Sequence, residues 1–325
     1  MPSIKDVAEK AGVSKSTVSL VINNTGYVSK ETKEKVEAAI KELNYIPSKL
    51  AQNFSRQHSG IIAIVVPDIM HPFFSTYIKY AEKELSAKGY MSMVCSVVGR
   101  EENEKKYIDM LNRKIVDGII MAGHSLDIEE YKKSTRPIVS IDRFLCDEIP
   151  VVHSNHKQAA QLACDCLIKA GCKNIVQFVG SGKVKIESNI FNFYCEEILK
   201  QNGIEVNSIN VGYNTFTIEE YEKSAHCLFE KYPNVDGIIG VDLLILSCLK
   251  IANKKGISVP KDLKLIAFDG TYVTRANNEI TSVVQPIEDI AKHSAKLIVD
   301  KIQGREIKEN NVVLDVLLQK GETVF

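Results

Sequence analysis

The sequence predicts a small helical head followed by an α/β domain of two doubly wound parallel-sheet lobes, on three observations. Three short helical patterns crowd into residues 1–46, each preceded by a serine. From residue 61 onward an unbroken apolar run alternates with amphipathic stretches, the order a parallel sheet requires. The segment Val116-Asp117-Gly118-Ile119-Ile120 recurs as Val235-Asp236-Gly237-Ile238-Ile239, each copy preceded by a helical pattern and entering a strand, so the second part has two similar halves.

Composition supports this and removes several classes. The 325 residues hold 45% apolar side chains, 41 Lys+Arg against 41 Asp+Glu, and only 18 Gly and 9 Pro. That is too apolar and too poor in Gly and Pro for collagen or low-complexity disorder. The longest apolar run, Ile61–Val66, is far short of the roughly 18 residues of a membrane helix. Lys5, Asp6, Glu9, Lys10 and Lys15 interrupt the first twenty residues, so no signal peptide is expected and the protein is placed in the cytoplasm. The eight cysteines all follow residue 94 without Cys-x-x-Cys spacing, which predicts reduced, mostly buried thiols. His153, His156, Cys164 and Cys166 fit no common zinc spacing, and neither metal nor cofactor is expected. Residues 1–58 carry nine Lys+Arg against six Asp+Glu, which leaves 32 against 35 in the remainder; the head is the candidate anion-binding part.

In the head, Ser3-Ile4-Lys5-Asp6 fits a capping box and Gly12 stands where a helix C-terminus wants a left-handed residue, giving a helix over Ile4–Ala11. Ser14 caps a second helix, Lys15–Asn23, after a connection of about four residues, which is helix-turn-helix spacing. Ser29 caps a third, with Val36, Ala39, Ile40 and Leu43 as its apolar stripe. With Val18, Val21 and Ile22 inward, the second helix turns Lys15, Ser16, Thr17, Ser19, Leu20 and Asn23 outward. Short hydrogen-bonding side chains of this kind suit base edges and phosphates; spacing alone fits an ordinary three-helix packing unit equally well.

The stretch from Asp6 to Ser14, then Ser16-Thr17-Val18-Ser19, Val28-Ser29 and Tyr45-Ile46-Pro47, resembles the head of the lactose-repressor (LacI) family, and the similarity continues through the whole chain. The resemblance implies a DNA-binding head over 1–46, a hinge helix or linker over 47–60, and a periplasmic-binding-protein-like effector and dimerisation domain over 61–325. The N-lobe is then about 61–157 with 287–318, and the C-lobe about 158–286 with 319–325. It further implies that Lys15, Ser16 and Leu20 read bases, that Thr17, Ser19 and Asn23 lie near phosphates, and that Ala51 and Phe54 belong to the hinge, Phe54 as a minor-groove wedge where Leu is commoner. Phe is among the side chains able to part a base step. Read without the family, 47–60 is a tether, because eight such residues are marginal as an isolated helix.

In the effector domain, strand patterns at Ile61–Val66 and 91–98 alternate with helical patterns at 75–88 and 101–114. Ligands of such folds collect beyond the carboxyl ends of the strands. The residues matching family pocket positions there are Phe73, Phe74, Asp142, Asp242 and Asp269, with Asn189 where sugar-sensing members usually carry Arg; no Arg occurs between Arg143 and Arg275. A strand-end carboxylate accepts sugar hydroxyls and an aromatic face covers the apolar side of a pyranose or base. Each residue also has a structural alternative: Asp142 paired with a lobe-closing Lys, Asp242 capping the helix after its strand, the two Phe in the core. Gly180-Ser181-Gly182-Lys183, with Lys185, reads either as a phosphate cradle or, lacking full nucleotide-loop spacing, as an ordinary turn.

No hydrolase elbow, zinc-protease helix, phosphate loop or dinucleotide fingerprint occurs, so an enzyme is not expected. The resemblance implies a homodimeric repressor of operator DNA controlled by a small molecule, sugar favoured; Phe268-Asp269-Gly270-Thr271 and Val284-Gln285-Pro286 look most like sucrose- and oligosaccharide-responsive members. The alternative is a co-repressed or partner-protein-controlled regulator with a non-sugar or phosphorylated ligand. No leucine-repeat tail follows the strand pattern at 312–318, in keeping with a dimer, and no membrane partner is expected. Many family members carry Arg where this chain has Leu20, and Leu offers only apolar contact, best to a thymine methyl. Binding-site selection with the full chain is expected to return a half-site that departs from the common family sequence at the base facing Leu20; the unchanged common sequence would refute this.

Overall fold

The computed structural model describes residues 2–47, 58–97, 101–123, 128–180, 187–212, 216–276 and 280–325. The chain divides into two units, Met1–Gly60 and Ile61–Phe325.

In the first unit, helices α1 (Ile4–Ala11), α2 (Lys15–Asn23) and α3 (Lys30–Glu42) each begin on the serine that the sequence singles out. Asp6 N–H donates to Ser3 Oγ at 3.4 Å while Asp6 Oδ2 accepts from Ser3 N–H at 2.7 Å, completing the capping box. Ser14 Oγ accepts from Thr17 N–H at 3.1 Å, and Ser29 Oγ from Thr32 N–H at 3.3 Å. Gly12 at φ +64° ends α1 and turns the chain into α2. Val7, Ala8, Val18, Val36 and Ala39 form the core of this unit.

The second unit is two lobes of the same design. The N-lobe sheet runs β2 (Met91–Ser96), β1 (Ile61–Val66), β3 (Gly118–Met121), β4 (Ile138–Ile141), β5 (Val151–Ser154), β11 (Asn311–Leu314), all parallel. The C-lobe sheet runs β7 (Glu205–Asn210), β6 (Asn174–Val179), β8 (Gly237–Val241), β9 (Lys264–Asp269), β10 (Ser282–Val284), β12 (Leu317–Gln319), with only β12 antiparallel. Helices cover the faces. In the N-lobe α4 (Pro72–Ala87) and α12 (Ile287–Ile302) pack beside Ile62, Ile64 and Val66, while α5 (Glu101–Asn112) and α6 (Ile128–Lys132) lie on the other side beside Ala63 and Val65. In the C-lobe α7 (His156–Lys169) and α8 (Ser188–Gln201) share one face, and α9 (Ile218–Lys231) and α10 (Asp242–Lys254) the other. A short α11 (Tyr272–Ala276) follows β9. Strands buried on both faces read as continuous apolar runs, which is why Ile61–Val66 stood out.

The repeated pentapeptide has a common role. Gly118 and Gly237 each open the third strand of their sheet and pair with the first, Gly118 with Ile62 and Gly237 with Ile175. A Cβ on Gly118 would lie 2.9 Å from Ile298 of α12, so the glycine sets how closely that helix seats.

The chain crosses between lobes three times. The first crossing is at residue 155, since α7, from His156, already packs in the C-lobe; the second is at 285–286. The third lies at 315–316, ahead of the expected 318, because Leu317 pairs antiparallel with Val284 and belongs to the C-lobe sheet. Helix α4 also starts earlier than its apolar pattern, at Pro72, a residue suited to the first helical turn.

Tyr77 of α4 is fully buried, and its hydroxyl shares a 2.6 Å hydrogen bond with Ser294 Oγ of α12. Because Ser294 Oγ also donates to Ala291 O, Tyr77→Phe leaves no orphan donor. It is expected to cost about 1 kcal/mol of unfolding free energy in a urea titration, whereas Tyr77→Ala costs several.

Candidate functional site

Two surfaces were expected to carry function, and they differ in how fully the sequence defined them. On the head, Lys15 and Ser16 are exposed at the start of α2, Thr17 and Ser19 are half-buried, and Leu20 is 37% exposed. Ser14 Oγ contacts Ser16 Oγ at 2.6 Å and Thr17 Oγ1 at 2.8 Å, which arrays three hydroxyls at one helix N-terminus. Asn23 does not turn outward as expected. It is buried, 7% exposed, and its Nδ2 donates to Ser19 Oγ at 3.1 Å. The left-handed Asn24 reverses the chain there, with Thr25 N–H returning to Leu20 O, so Asn23 is enclosed instead of presented. Ala51 and Phe54 lie outside the described residues.

The second surface is a cleft of about 240 Å³ between the two lobes. Carboxyl-terminal strand ends supply it from both sides: residues after β1 and β4 from the N-lobe, and after β6, β8 and β9 from the C-lobe. Of the six expected residues, Phe73, Phe74, Asp142, Asn189 and Asp269 line the cleft, and Asp242 does not. Aromatic rings dominate the wall. Phe73 and Phe74 meet edge to face at 5.3 Å, and across the cleft Phe191 stacks on Phe268 at 4.3 Å. Phe268 was marked only as part of a short motif, and Phe178, Phe191 and Phe216 were not singled out in the sequence; the alternation of strand and helix that brings these three together is their only signal.

Asp142 ties the lobes together. Its backbone takes φ +58°, its Oδ1 accepts from His156 Nε2 at 2.6 Å, and its Oδ2 accepts from the N–H of Ser188, which opens α8, at 3.2 Å. Among the described residues, the partners of this carboxylate include an imidazole and a helix N-terminus.

Asp242 is structural. It is 1% exposed, its Oδ1 accepts from Gly270 N–H at 3.1 Å, and its Oδ2 accepts from Thr271 N–H at 2.7 Å and Thr271 Oγ at 2.6 Å. The carboxylate therefore holds the turn after β9 and does not cap its own helix. That turn is tight: Gly270 has φ +63°, and a Cβ there would lie 2.7 Å from Val284 Cα. Burial pushes the Asp242 carboxyl up from the usual carboxylate range, against its hydrogen bonds and Arg275. Asp269, 5% exposed, is pushed up well above that range, first by burial and then by the charge of Asp242. With three donors already on Asp242, Asp269 is the member of the pair whose carboxyl is pushed further up.

Gln285 joins Asp269 to the other lobe. Its Nε2 donates to Asp269 Oδ1 at 2.7 Å, and its Oε1 accepts from Ser154 Oγ of β5 at 2.7 Å. The sequence marked Gln285 only as part of a short motif. Of the residues in the zinc reading, Cys164 and Cys166 are buried and His153 bonds Ser154 O and Asn311 Oδ1. Lys183 and Lys185 of the phosphate-cradle reading lie outside the described residues.

Comparison with known proteins agrees with this two-part organisation. Residues 3–48 match the model of the bacterial regulatory proteins of the lacI family, and residues 59–314 that of the periplasmic binding proteins and sugar binding domain of the LacI family. The chain belongs to the LacI family. It is 36% identical to a ribose operon repressor of Halalkalibacterium halodurans, over 99% of this chain and 97% of that one. It is 33% identical to a sucrose operon repressor of Streptococcus mutans, over 99% of each. Among solved structures it resembles the transcriptional regulator CelR–cellobiose complex, with TM-score 0.72 and 25% identity over 99% of this chain and 100% of that one. It shares its fold with the lac repressor dimer bound to operator, with TM-score 0.86 and 22% identity over 100% of this chain and 99% of that one. As a LacI-family member the chain is a transcriptional repressor with a DNA-binding head and an effector-binding domain.

The two carboxylates are expected to separate by experiment. Asp242→Ala leaves three buried donors of the turn without their acceptor and should cost about 2–4 kcal/mol in urea unfolding. Asp269→Asn should cost less than about 1 kcal/mol, because a neutral amide replaces a carboxyl group whose charged form burial and Asp242 disfavour.

Proposed function

We propose that this LacI-family chain acts as a homodimer that represses transcription from a near-palindromic operator and is controlled by an uncharged sugar held between its lobes. The observation that carries the effector half is the composition of the cleft. Aromatic faces oppose each other, Asp142 and Asp269 stand at strand ends and Asn189 in the first turn of α8, and no Lys or Arg occurs among the described lining residues. Rings and hydrogen-bonding side chains suit the apolar face and the hydroxyls of a sugar, whereas a phosphate ester asks for cations. The relatives named for ribose and sucrose operons, and the cellobiose complex, make these three sugars the first probes.

On the head, Lys15, Ser16 and Leu20 read base edges in the major groove, and Thr17 and Ser19 bond phosphates. Asn23 acts through Ser19, whose hydroxyl it holds, rather than by contacting DNA itself. Ala51 and Phe54 serve the hinge, with Phe54 wedging the minor groove at the operator centre. The chain is a cytoplasmic binding protein, not an enzyme. A sugar that prefers one lobe arrangement shifts the population toward it, and the hinge transmits that choice to the head. The coupling is reciprocal: a sugar that weakens operator binding tenfold is itself bound tenfold more weakly on the operator.

Among the described residues no helix is long and apolar enough to cross a membrane. Thermal unfolding of the full chain with D-ribose, sucrose and cellobiose tests the effector, followed by operator-binding titrations with and without the sugar that binds. A true effector at 100 times its Kd should stabilise by about 2.7 kcal/mol and change operator affinity several-fold. If none of the three binds, the sugar assignment fails.

A further inference from the structure

Asp142 stands on the wall of the cleft, but a side chain that holds it does not. His156 opens α7 immediately after the first crossing between lobes, is 4% exposed and is not among the described lining residues. Its Nε2 is 2.6 Å from Asp142 Oδ1, and its Nδ1 has no hydrogen-bond partner among the described residues. One ring from each lobe flanks the imidazole: His153 of β5 is stacked at 5.9 Å and 7°, and Phe268 of β9 is tilted at 5.9 Å and 48°.

The orphan nitrogen decides where the ring carries its hydrogen. With the hydrogen on Nε2, the ring donates to Asp142 and Nδ1 is a bare acceptor. With the hydrogen on Nδ1, a buried N–H would have no acceptor and the Nε2 lone pair would face a carboxylate oxygen. An imidazolium would bury the same unpaired Nδ1–H. The geometry therefore selects the Nε2–H tautomer, and His156 acts toward Asp142 as a donor.

The bond spans two bodies. Asp142 follows β4 in the N-lobe, whereas His156 and Ser188, whose N–H meets the other carboxylate oxygen at 3.2 Å, open C-lobe helices. Such a hydrogen bond is lost once its atoms separate beyond about 3.5 Å, so a small movement of α7 away from β4 changes the number of donors on Asp142. Flanked by two rings, the imidazole cannot swing to follow the carboxylate, and the bond registers the lobes instead of a side-chain rotation. We propose that His156 is a positioning residue that acts through Asp142: it fixes the carboxylate in one lobe arrangement and releases it in the other, and thereby sets how strongly sugar and operator affect each other. This rests on the sugar reading of the cleft.

The test is calorimetric titration of full-length wild type, His156→Gln and His156→Leu with D-ribose, sucrose and cellobiose, each with and without saturating operator. The ratio of the two sugar Kd values measures the coupling. Wild type should give a ratio of about fivefold or more. His156→Leu fills the space between the rings without a donor and should bring the ratio to within about twofold of one, while His156→Gln restores a donor and should stay within about twofold of wild type. A purely structural role would lower stability or weaken sugar equally in both titrations and leave the ratio unchanged. Ring-nitrogen NMR of ¹⁵N-histidine-labelled wild type needs no variant beyond the His156→Gln spectrum that identifies the signals: they should report a protonated Nε2 and should differ between the sugar-saturated and operator-saturated protein. An unchanged ratio in His156→Leu, a protonated Nδ1 on the neutral ring, or signals identical in both states would overturn the assignment while leaving sugar binding intact. Failure of wild type to bind any of the three sugars would instead overturn the sugar reading, and this assignment with it.

Discussion

Gln285 sits at the second crossing between lobes, and the amide of this one side chain is used at both ends. Its oxygen accepts from Ser154 on the last strand before the first crossing, and its nitrogen donates to Asp269 at the end of a C-lobe strand. All three residues are buried, so these hydrogen bonds are made in a low dielectric and are costly to break. Two sheets built independently are thereby registered so that their carboxyl ends face each other. The aromatic walls, the lobe tie at Asp142 and the turn after β9 all take their places relative to that join.

The cleft also separates carboxylates that look alike in sequence. Asp242 and Asp269 each sit at a strand-to-helix junction, and each is a plausible sugar ligand by position. The turn Gly270-Thr271 decides between them, because it aims two backbone N–H groups and a hydroxyl at Asp242. The charge on Asp242, after burial, pushes its neighbour's carboxyl well up from the usual range, and Asp269 is the one of the two that lines the cavity. The structural carboxylate thus sets the chemistry of the binding one.

On the head, a single run of short side chains is divided by the end of the helix. Lys15 and Ser16 stand clear at the N-terminus of α2, where backbone N–H groups and hydroxyls are displayed together. Asn23, on the same helix, is enclosed by the reversal that follows it, and it positions Ser19 from inside.

The periodicities and caps of this sequence determined most of the fold. The three serine caps, the strand run at Ile61–Val66 and the duplicated pentapeptide are local patterns, and local patterns are legible because backbone hydrogen bonding and burial impose them residue by residue. Five of the six expected cleft residues were legible through their match to family pocket positions, and two of them, Asp142 and Asp269, also stand where a strand ends and ligands gather. Tertiary structure alone decided which carboxylate is spent on a turn, which amide bridges the lobes, that His156 meets Asp142, and that His71 lies against Phe216. Those outcomes join residues between 14 and 145 positions apart, and no local pattern encodes a partner that only chain crossing brings near.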